Sequence, residues 1–145
     1  MEYVPKHRVI LIEWIYEVYL SGPLKRSTLF LTVNIIDRAL SAKKFNINNF
    51  QLVGVAAILI ASKMDGDETF NSASLSKLTD RAFDWAQIQR MENEIVFLLD
   101  FDFNVPCPFF FLESYLEIMG SDFMYLLADE YAIYNLELQI FDLSV

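Results

Sequence analysis

Residues 52–61 read Leu52-Val53-Gly54-Val55-Ala56-Ala57-Ile58-Leu59-Ile60-Ala61, a run without a single charged or hydrogen-bonding side chain. Asn48-Asn49 stand before it as good helix-capping residues. Lys63 follows it, just ahead of the turn-forming Asp65-Gly66-Asp67. A helix apolar on every side has no face to give to water, so it must be a central helix walled in by others. Its Gly and Ala positions let those neighbours come close. The most apolar part, Leu52 to Ser62, is shorter than the roughly 20 residues that span a bilayer, and no membrane partner is expected.

Outward from this run, apolar residues recur with helical period nearly throughout. A first helix is predicted over residues 6–19, stopping at Ser21-Gly22-Pro23, and a second over 25–41. Beyond the central helix, a short one is predicted over 73–78 and a longer one over 84–99. Asn104-Val105-Pro106-Cys107-Pro108 then breaks the pattern, because two prolines in three residues cannot continue a helix. Two more apolar helices, 109–119 and 123–143, are split near Gly120-Ser121. Only four Gly and four Pro punctuate the chain, and no period-two alternation marks a strand. The fold class is therefore all-α, with five helices, the wholly apolar one in the middle, and two further helices behind them. A boundary falls near residue 105.

Composition narrows the function. The chain has 145 residues, 54 % of them hydrophobic and thirteen of them Phe, enough to bury a sizeable core. All eleven Lys and Arg lie in residues 1–90 beside nine acids, whereas residues 91–145 hold eleven acids and no base. A nucleic-acid partner, which needs a basic face, is not expected. Cys107 is the only cysteine, so neither a disulfide framework nor a cysteine metal site can form within the chain. A reducing compartment, nucleus or cytoplasm or both, is the expected location. His7 is the only histidine, and no phosphate-cradling glycine loop, zinc-ligand spacing or nucleophile motif occurs. No enzyme, metal or cofactor is expected. Arg8-Val9-Ile10-Leu11 and Arg26-Ser27-Thr28-Leu29 match the short RxxL pattern of degradation signals, but both lie inside predicted helices and are discounted.

A few residues break the plain amphipathic pattern. At about 100° per residue, His7, Ile10, Leu11 and Trp14 share one stripe of the first helix, and Arg8, Ile12, Ile15 and Tyr19 share a second. Two readings stand: one broad buried face, or one inward stripe and one binding patch. Periodicity alone favours the former. Arg8 within an apolar stripe needs a partner, and Asp37, flanked by Ile35, Ile36 and Leu40, is the candidate for a structural ion pair. Glu92 falls in the middle of the stripe Trp85, Ile88, Ile95, Leu99, where a carboxylate is costly unless it is paired or aimed at a partner. Lys63 is, on its own, a cation complementing a helix C-terminus.

These residues carry a resemblance. His7-Arg8-Val9-Ile10-Leu11-Ile12-Glu13-Trp14 resembles the MRAILVDW opening of the cyclin box. Residues 28–38, Thr-Leu-Phe-Leu-Thr-Val-Asn-Ile-Ile-Asp-Arg, resemble its TLYLAVNYIDRFL. The run from Gln51 through Lys63 is similar to LQLVGVAALLIASK, and Leu78-Thr79-Asp80 and Met91-Glu92 fit later elements. The order is preserved over residues 7–108, and the A- and B-type cell-cycle cyclins are the nearest in kind. The resemblance implies a five-helix box over residues 1–105. Residues 106–145 are then a linker and the first two helices of a truncated second box.

The resemblance also implies a regulatory subunit that binds and activates a cyclin-dependent protein kinase in cell-cycle control and helps recruit its substrates. A cyclin-box scaffold of another class, a transcription-factor-like protein-binding module, is the alternative. By position, Lys63 and Glu92 would grip the kinase. His7, Ile10, Leu11, Trp14 and Gln51 would dock RxL-type substrates or inhibitors, and Arg8 and Asp37 would form the internal ion pair. Two departures stand out: His7 replaces a Met, making the patch more polar, and Lys63-Met64-Asp65-Gly66 replaces Lys-aromatic-Glu-Glu. Two helices cannot cover the apolar surface of residues 109–143, where each buried side chain is worth about 1.5–3 kcal/mol. They must fold back on the first box, pair with a second copy or bind something else, and self-association through them is expected.

Overall fold

A helix with no polar side needs neighbours all round, and α3 (Phe50–Met64) has them: it packs on α1 (Tyr3–Leu20), α2 (Arg26–Ala42) and α5 (Trp85–Leu98). Every residue from Leu52 to Ser62 is buried. The computed structural model describes residues 3–66, 70–119 and 123–142. Among these the chain forms seven α-helices and no strand, the others being α4 (Ser72–Leu78), α6 (Pro108–Met119) and α7 (Phe123–Gln139). Residues 47–64 are apolar and long enough to cross a membrane by composition alone, but two-thirds of that stretch is buried inside the bundle, as a core helix is.

Gly54 sets how closely α1 lies on α3. A Cβ there would stand 2.7 Å from Leu11 Cδ1, 3.4 Å from Ile15 Cδ1 and 3.5 Å from Trp14 Cζ3. The bare backbone is what lets these three side chains settle onto the central helix.

The helix starts differ in kind. Asp84 caps α5 with a reciprocal box, its carboxylate accepting from Gln87 N at 2.7 Å while Gln87 Oε1 accepts from Asp84 N at 2.9 Å. Asn71 and Ser74 do the same for α4. At α3 the expected Asn48-Asn49 cap is not used. Asn46 instead accepts from Asn48 N at 3.0 Å and caps a 3₁₀ turn, Ile47–Asn49. That turn's own bonds, Asn49 N to Asn46 O and Phe50 N to Ile47 O, hand the chain into α3 with Asn49 already in helical backbone (φ −99°, ψ 0°) rather than the extended backbone of a cap, and its side chain makes no cap bond.

The chain leaves α5 through Asp100 and Phe101, both left-handed (φ 53° and 58°), with Phe101 N bonded back to Val96 O at 3.0 Å. Arg38 on α2 donates to Asp102 O at 2.7 Å and ties down the start of the linker. Beyond the prolines, α6 rests on α2, and α7 packs on α6.

The end of α7 folds back on the first five helices through polar contacts. The buried Glu137 carboxylate accepts from Tyr16 and Tyr19 hydroxyls at 2.9 Å each and from Arg26 Nε at 3.1 Å. Phe141 stands edge-on to the Tyr16 ring, and the Arg26 guanidinium lies over the Phe109 ring. This clasp binds α1, α2, α6 and α7 together. The outer side of α6 and the described part of α7 stay apolar and uncovered, with Ile118 82 % exposed and Phe110, Tyr115 and Tyr131 all more than half exposed.

The clasp leaves a titration signature. Burial first, and then the Glu137 carboxylate accepting its O–H, push the Tyr16 hydroxyl up to about 12. A raised folded value means that the stability this phenol contributes is fully present below its unfolded value, near 10, and is lost as pH rises through about 12. In an alkaline absorbance titration, wild type minus Tyr16→Phe is expected to show a tyrosinate step near pH 12. The step should move down in Glu137→Gln. A Tyr16 step near pH 10 in the wild type would show that the clasp does not hold.

Candidate functional site

The two stripes of α1 meet different fates. Arg8, Ile12 and Ile15 are buried, and Tyr19, partly buried, packs against the core. On the other stripe Leu11 is buried, His7 and Trp14 are half-buried, and Ile10 is 62 % exposed. A single broad buried face is therefore not what forms. The stripe of Arg8, Ile12 and Ile15 goes inward, and that of His7, Ile10 and Trp14 leaves an apolar shelf at the surface. The His7 ring is edge-on to Phe50 at 6.0 Å, Gly54 lies beneath Leu11 and Trp14, and Gln51, the residue after Phe50, is half-buried.

Arg8 and Asp37 form a two-point ion pair between α1 and α2. Nε donates to Oδ1 at 2.6 Å and Nη2 to Oδ2 at 2.8 Å, the fork geometry that makes such pairs strong and directional. Nη2 also donates to the carbonyl of Ile140 at 3.0 Å. The pair thus reaches the end of α7 as well as joining two helices of the bundle. It is asymmetric: the arginine is buried, whereas the Asp37 side chain is 41 % exposed.

Lys63 and Glu92 come from the ends of the core. Lys63 is the penultimate residue of α3, and Glu92 lies mid-way along α5 between the buried Ile88 and Ile95. The ammonium reaches Oε1 at 2.5 Å. The carboxylate is nearly sequestered, its side chain 11 % exposed, while the lysine is 58 % exposed. An isolated carboxylate so placed would be costly. Its position among apolar residues makes sense once a cation stands at its mouth. The result is a charged tip on an apolar rim, fixed by two helices, α3 and α5, that pack directly on each other in the core.

Several residues that shape these sites drew no attention from pattern alone: Tyr16, Arg26 and, above all, Glu137. Glu137 stands three and four residues before Ile140 and Phe141, just past the end of α7, but aromatic residues nearly all round that helix keep the acid from standing out as Glu92 does. No group of three His, Cys, Asp or Glu stands together among the described residues. Burial pushes the Cys107 thiol up, which leaves it a poor nucleophile.

A family model, the cyclin N-terminal domain, matches residues 1–104. The chain belongs to the cyclin family.

Curated relatives are cyclins too. Cyclin-B2-2 of Oryza sativa subsp. indica is 42 % identical over 117 residues, covering 81 % of this chain and 28 % of its own length. Cyclin-B1-3 of Arabidopsis thaliana gives the same figures. G2/mitotic-specific cyclin-B2 of Oryzias luzonensis is 36 % identical over 121 residues, 83 % of this chain and 31 % of its own. This cyclin therefore spans less than a third of the length of those relatives. The X-ray structure of a viral cyclin from herpesvirus saimiri superposes with a TM-score of 0.84 at 23 % identity, over 97 % of this chain and 62 % of that one. That likeness extends the shared all-helical fold through α6 and α7.

The asymmetry of the Arg8–Asp37 pair sets its expected contribution to this cyclin's stability. Removing one partner of a fully buried pair costs about 3–5 kcal/mol. Asp37→Ala leaves the buried Arg8 cation with the Ile140 carbonyl alone but opens a site that water already reaches, so it is expected at the lower end, about 3 kcal/mol. For a domain of this size that is a drop of roughly 5–10 °C in Tm. Asp37→Asn should lie between it and wild type, and thermal melts of the three chains test the order. Equal melting temperatures would mean that the pair holds nothing together.

Proposed function

We propose that this cyclin is a non-catalytic regulatory subunit that binds a cyclin-dependent protein kinase and switches it on in cell-cycle control, in the nucleus, the cytoplasm or both. The observation that carries this reading is the Lys63–Glu92 pair. A carboxylate set into an apolar face holds an exposed ammonium at the surface, where a partner chain can meet both. The B-type names of the relatives support the kinase reading over a scaffold of another class.

The mechanism follows from what a kinase lacks on its own. Phosphoryl transfer requires a Lys–Glu pair between strand β3 and helix αC, and αC must swing inward to make it. A subunit that binds the αC-in state better than the αC-out state shifts the population toward it without touching the phosphates. In this cyclin Lys63 and Glu92 would set the register of an apolar interface, one expected to bury more than about 2,000 Å². The shelf of His7, Ile10, Leu11, Trp14 and Gln51 would present RxL-type substrates or inhibitors to the activated kinase. It lies on α1, away from the α3–α5 tip, so the two tasks would be separable.

That separability gives the test. A pull-down with a cyclin-dependent kinase, scored for histone phosphorylation, is expected to succeed with wild type. Lys63→Ala combined with Glu92→Ala should lose at least tenfold in activation, with Tm within a few degrees of wild type and RxL-peptide binding retained. Normal activation by the double variant would sink the assignment.

The uncovered faces of α6 and α7 suggest that a second copy associates there. The eleven acids and absence of bases in residues 91–145 oppose the approach of like tails. Self-association is therefore expected to be weak and to strengthen with salt, which screens that repulsion over about 10 Å at 0.1 M. Sedimentation over a series of protein and salt concentrations is the measurement. A monomer throughout would show that these faces do not attract each other.

A further inference from the structure

The last turn of α3 is pinned from two sides. On one side Lys63 reaches Glu92 on α5 at 2.5 Å. Two residues on, about 200° further round a helix that turns ~100° per residue, the Asp65 carboxylate reaches the first turn of α2 instead. Its Oδ2 accepts from Ser27 Oγ at 3.0 Å and from Thr28 Oγ1 at 2.5 Å. Thr28 is fully buried, so its hydroxyl needs an acceptor from within the fold. An ionised acceptor makes such bonds short and strong. Lys25 gives α2 no side-chain cap, and a carboxylate near a helix N-terminus is favourable on that ground as well.

The anchor is itself held. Arg26, the residue before Ser27, donates to the buried Glu137 and lies over the Phe109 ring, which fixes the first turn of α2 to α7 and α6. Beyond Asp65 the chain turns away at once. Asp65 N bonds to Ala61 O at 3.0 Å and closes α3, and Gly66 is left-handed (φ 65°). A helix end frays where nothing holds it, because its last four carbonyls have no partner within the helix. Lys63 and Met64 lie in that last turn, and both side chains stand more than half exposed. A partner that meets them gains affinity when the turn is already ordered, since no ordering cost then falls on binding.

We propose that Asp65 is a positioning residue for the kinase-binding tip. Bound to Ser27 and Thr28, it holds the end of α3 so that Lys63 meets Glu92 and, with Met64, forms a fixed surface. Asp65 is half-buried and committed to α2, so its part is indirect. The consequence for kinase binding rests on the reading of the tip given above; the geometry of the turn does not.

Two measurements on the whole chain test this. The first needs no kinase. It is the NMR signal of the Lys63 ammonium, assigned by its loss in Lys63→Ala and moved by Glu92→Ala to the position of an unpaired lysine. In Asp65→Ala the signal is expected to move at least half of that way. In Asp65→Asn, whose Oδ1 can accept both hydroxyls, it should stay at the wild-type position. The second is affinity for a purified cyclin-dependent kinase, titrated well below the melting temperature of every variant. Asp65→Ala is expected to lose at least fivefold and Asp65→Asn less than twofold. Ser27→Ala, which leaves Thr28 served, should fall between them, and it replaces Asp65→Ala if that chain fails to fold. A lowered melting temperature with an unmoved ammonium signal and wild-type affinity would overturn the proposal and leave Asp65 a bond of the fold alone. Equal losses in Asp65→Asn and Asp65→Ala would overturn it too, by showing that the charge itself meets the kinase. If Lys63→Ala with Glu92→Ala binds the kinase as wild type does, the kinase reading falls, and the ammonium signal alone decides whether Asp65 positions the tip.

Discussion

The burial of α3 on every side is the constraint from which the rest follows. A helix without a polar face cannot sit at a surface, so α1, α2 and α5 must wall it in. Their own apolar stripes are consumed in doing so. What each neighbour can offer a partner is only what lies off that contact. For α5 it is the end of Glu92, set within the buried stripe with its carboxylate reaching out to Lys63, and for α1 it is the stripe of His7, Ile10 and Trp14, left at the surface because that of Arg8, Ile12 and Ile15 faces inward. Lys63 belongs to the same logic. It is the point where the fully apolar helix ends and a charge first becomes affordable, so it appears at the rim of the core and beside Glu92.

Much of this was legible in the chain because it is written locally. The apolar run of residues 52–61 declares a central helix without help from the rest. The Pro106–Pro108 break and the Asp84 and Gln87 box mark helix ends that the backbone respects. Arg8 and Glu92 announced themselves as charges within apolar stripes, and Asp37, the partner picked out for Arg8, stands against it; Lys63, which stands against Glu92, was linked with it by the family resemblance alone.

What escaped depends on contacts over long separations. Glu137 meets Tyr16, Tyr19 and Arg26 across more than a hundred residues. Nothing local to a tyrosine says which carboxylate it will find. The stripe of α7 was hard to read because aromatic residues occur nearly all round it, so one buried acid did not stand out as Glu92 had. The start of α3 failed for a smaller reason: Asn48 and Asn49 are good caps in the abstract, but the 3₁₀ turn capped by Asn46 carries Asn49 into helical rather than extended backbone, where its side chain does not cap.

The Glu137 clasp has a geometric consequence. A helix held to its neighbour by apolar contacts alone can roll about its axis or slip by a fraction of a turn, since dispersion and burial are nearly indifferent to direction. Hydrogen bonds are not indifferent. Three donors converging on one carboxylate, with Arg8 holding the Ile140 carbonyl nearby, leave α7 one azimuth and one height relative to α1. The aromatic flank of α6 and α7 is thereby indexed to the bundle like a keyed shaft. Anything seated on that flank inherits a defined angle to the charged tip at Lys63.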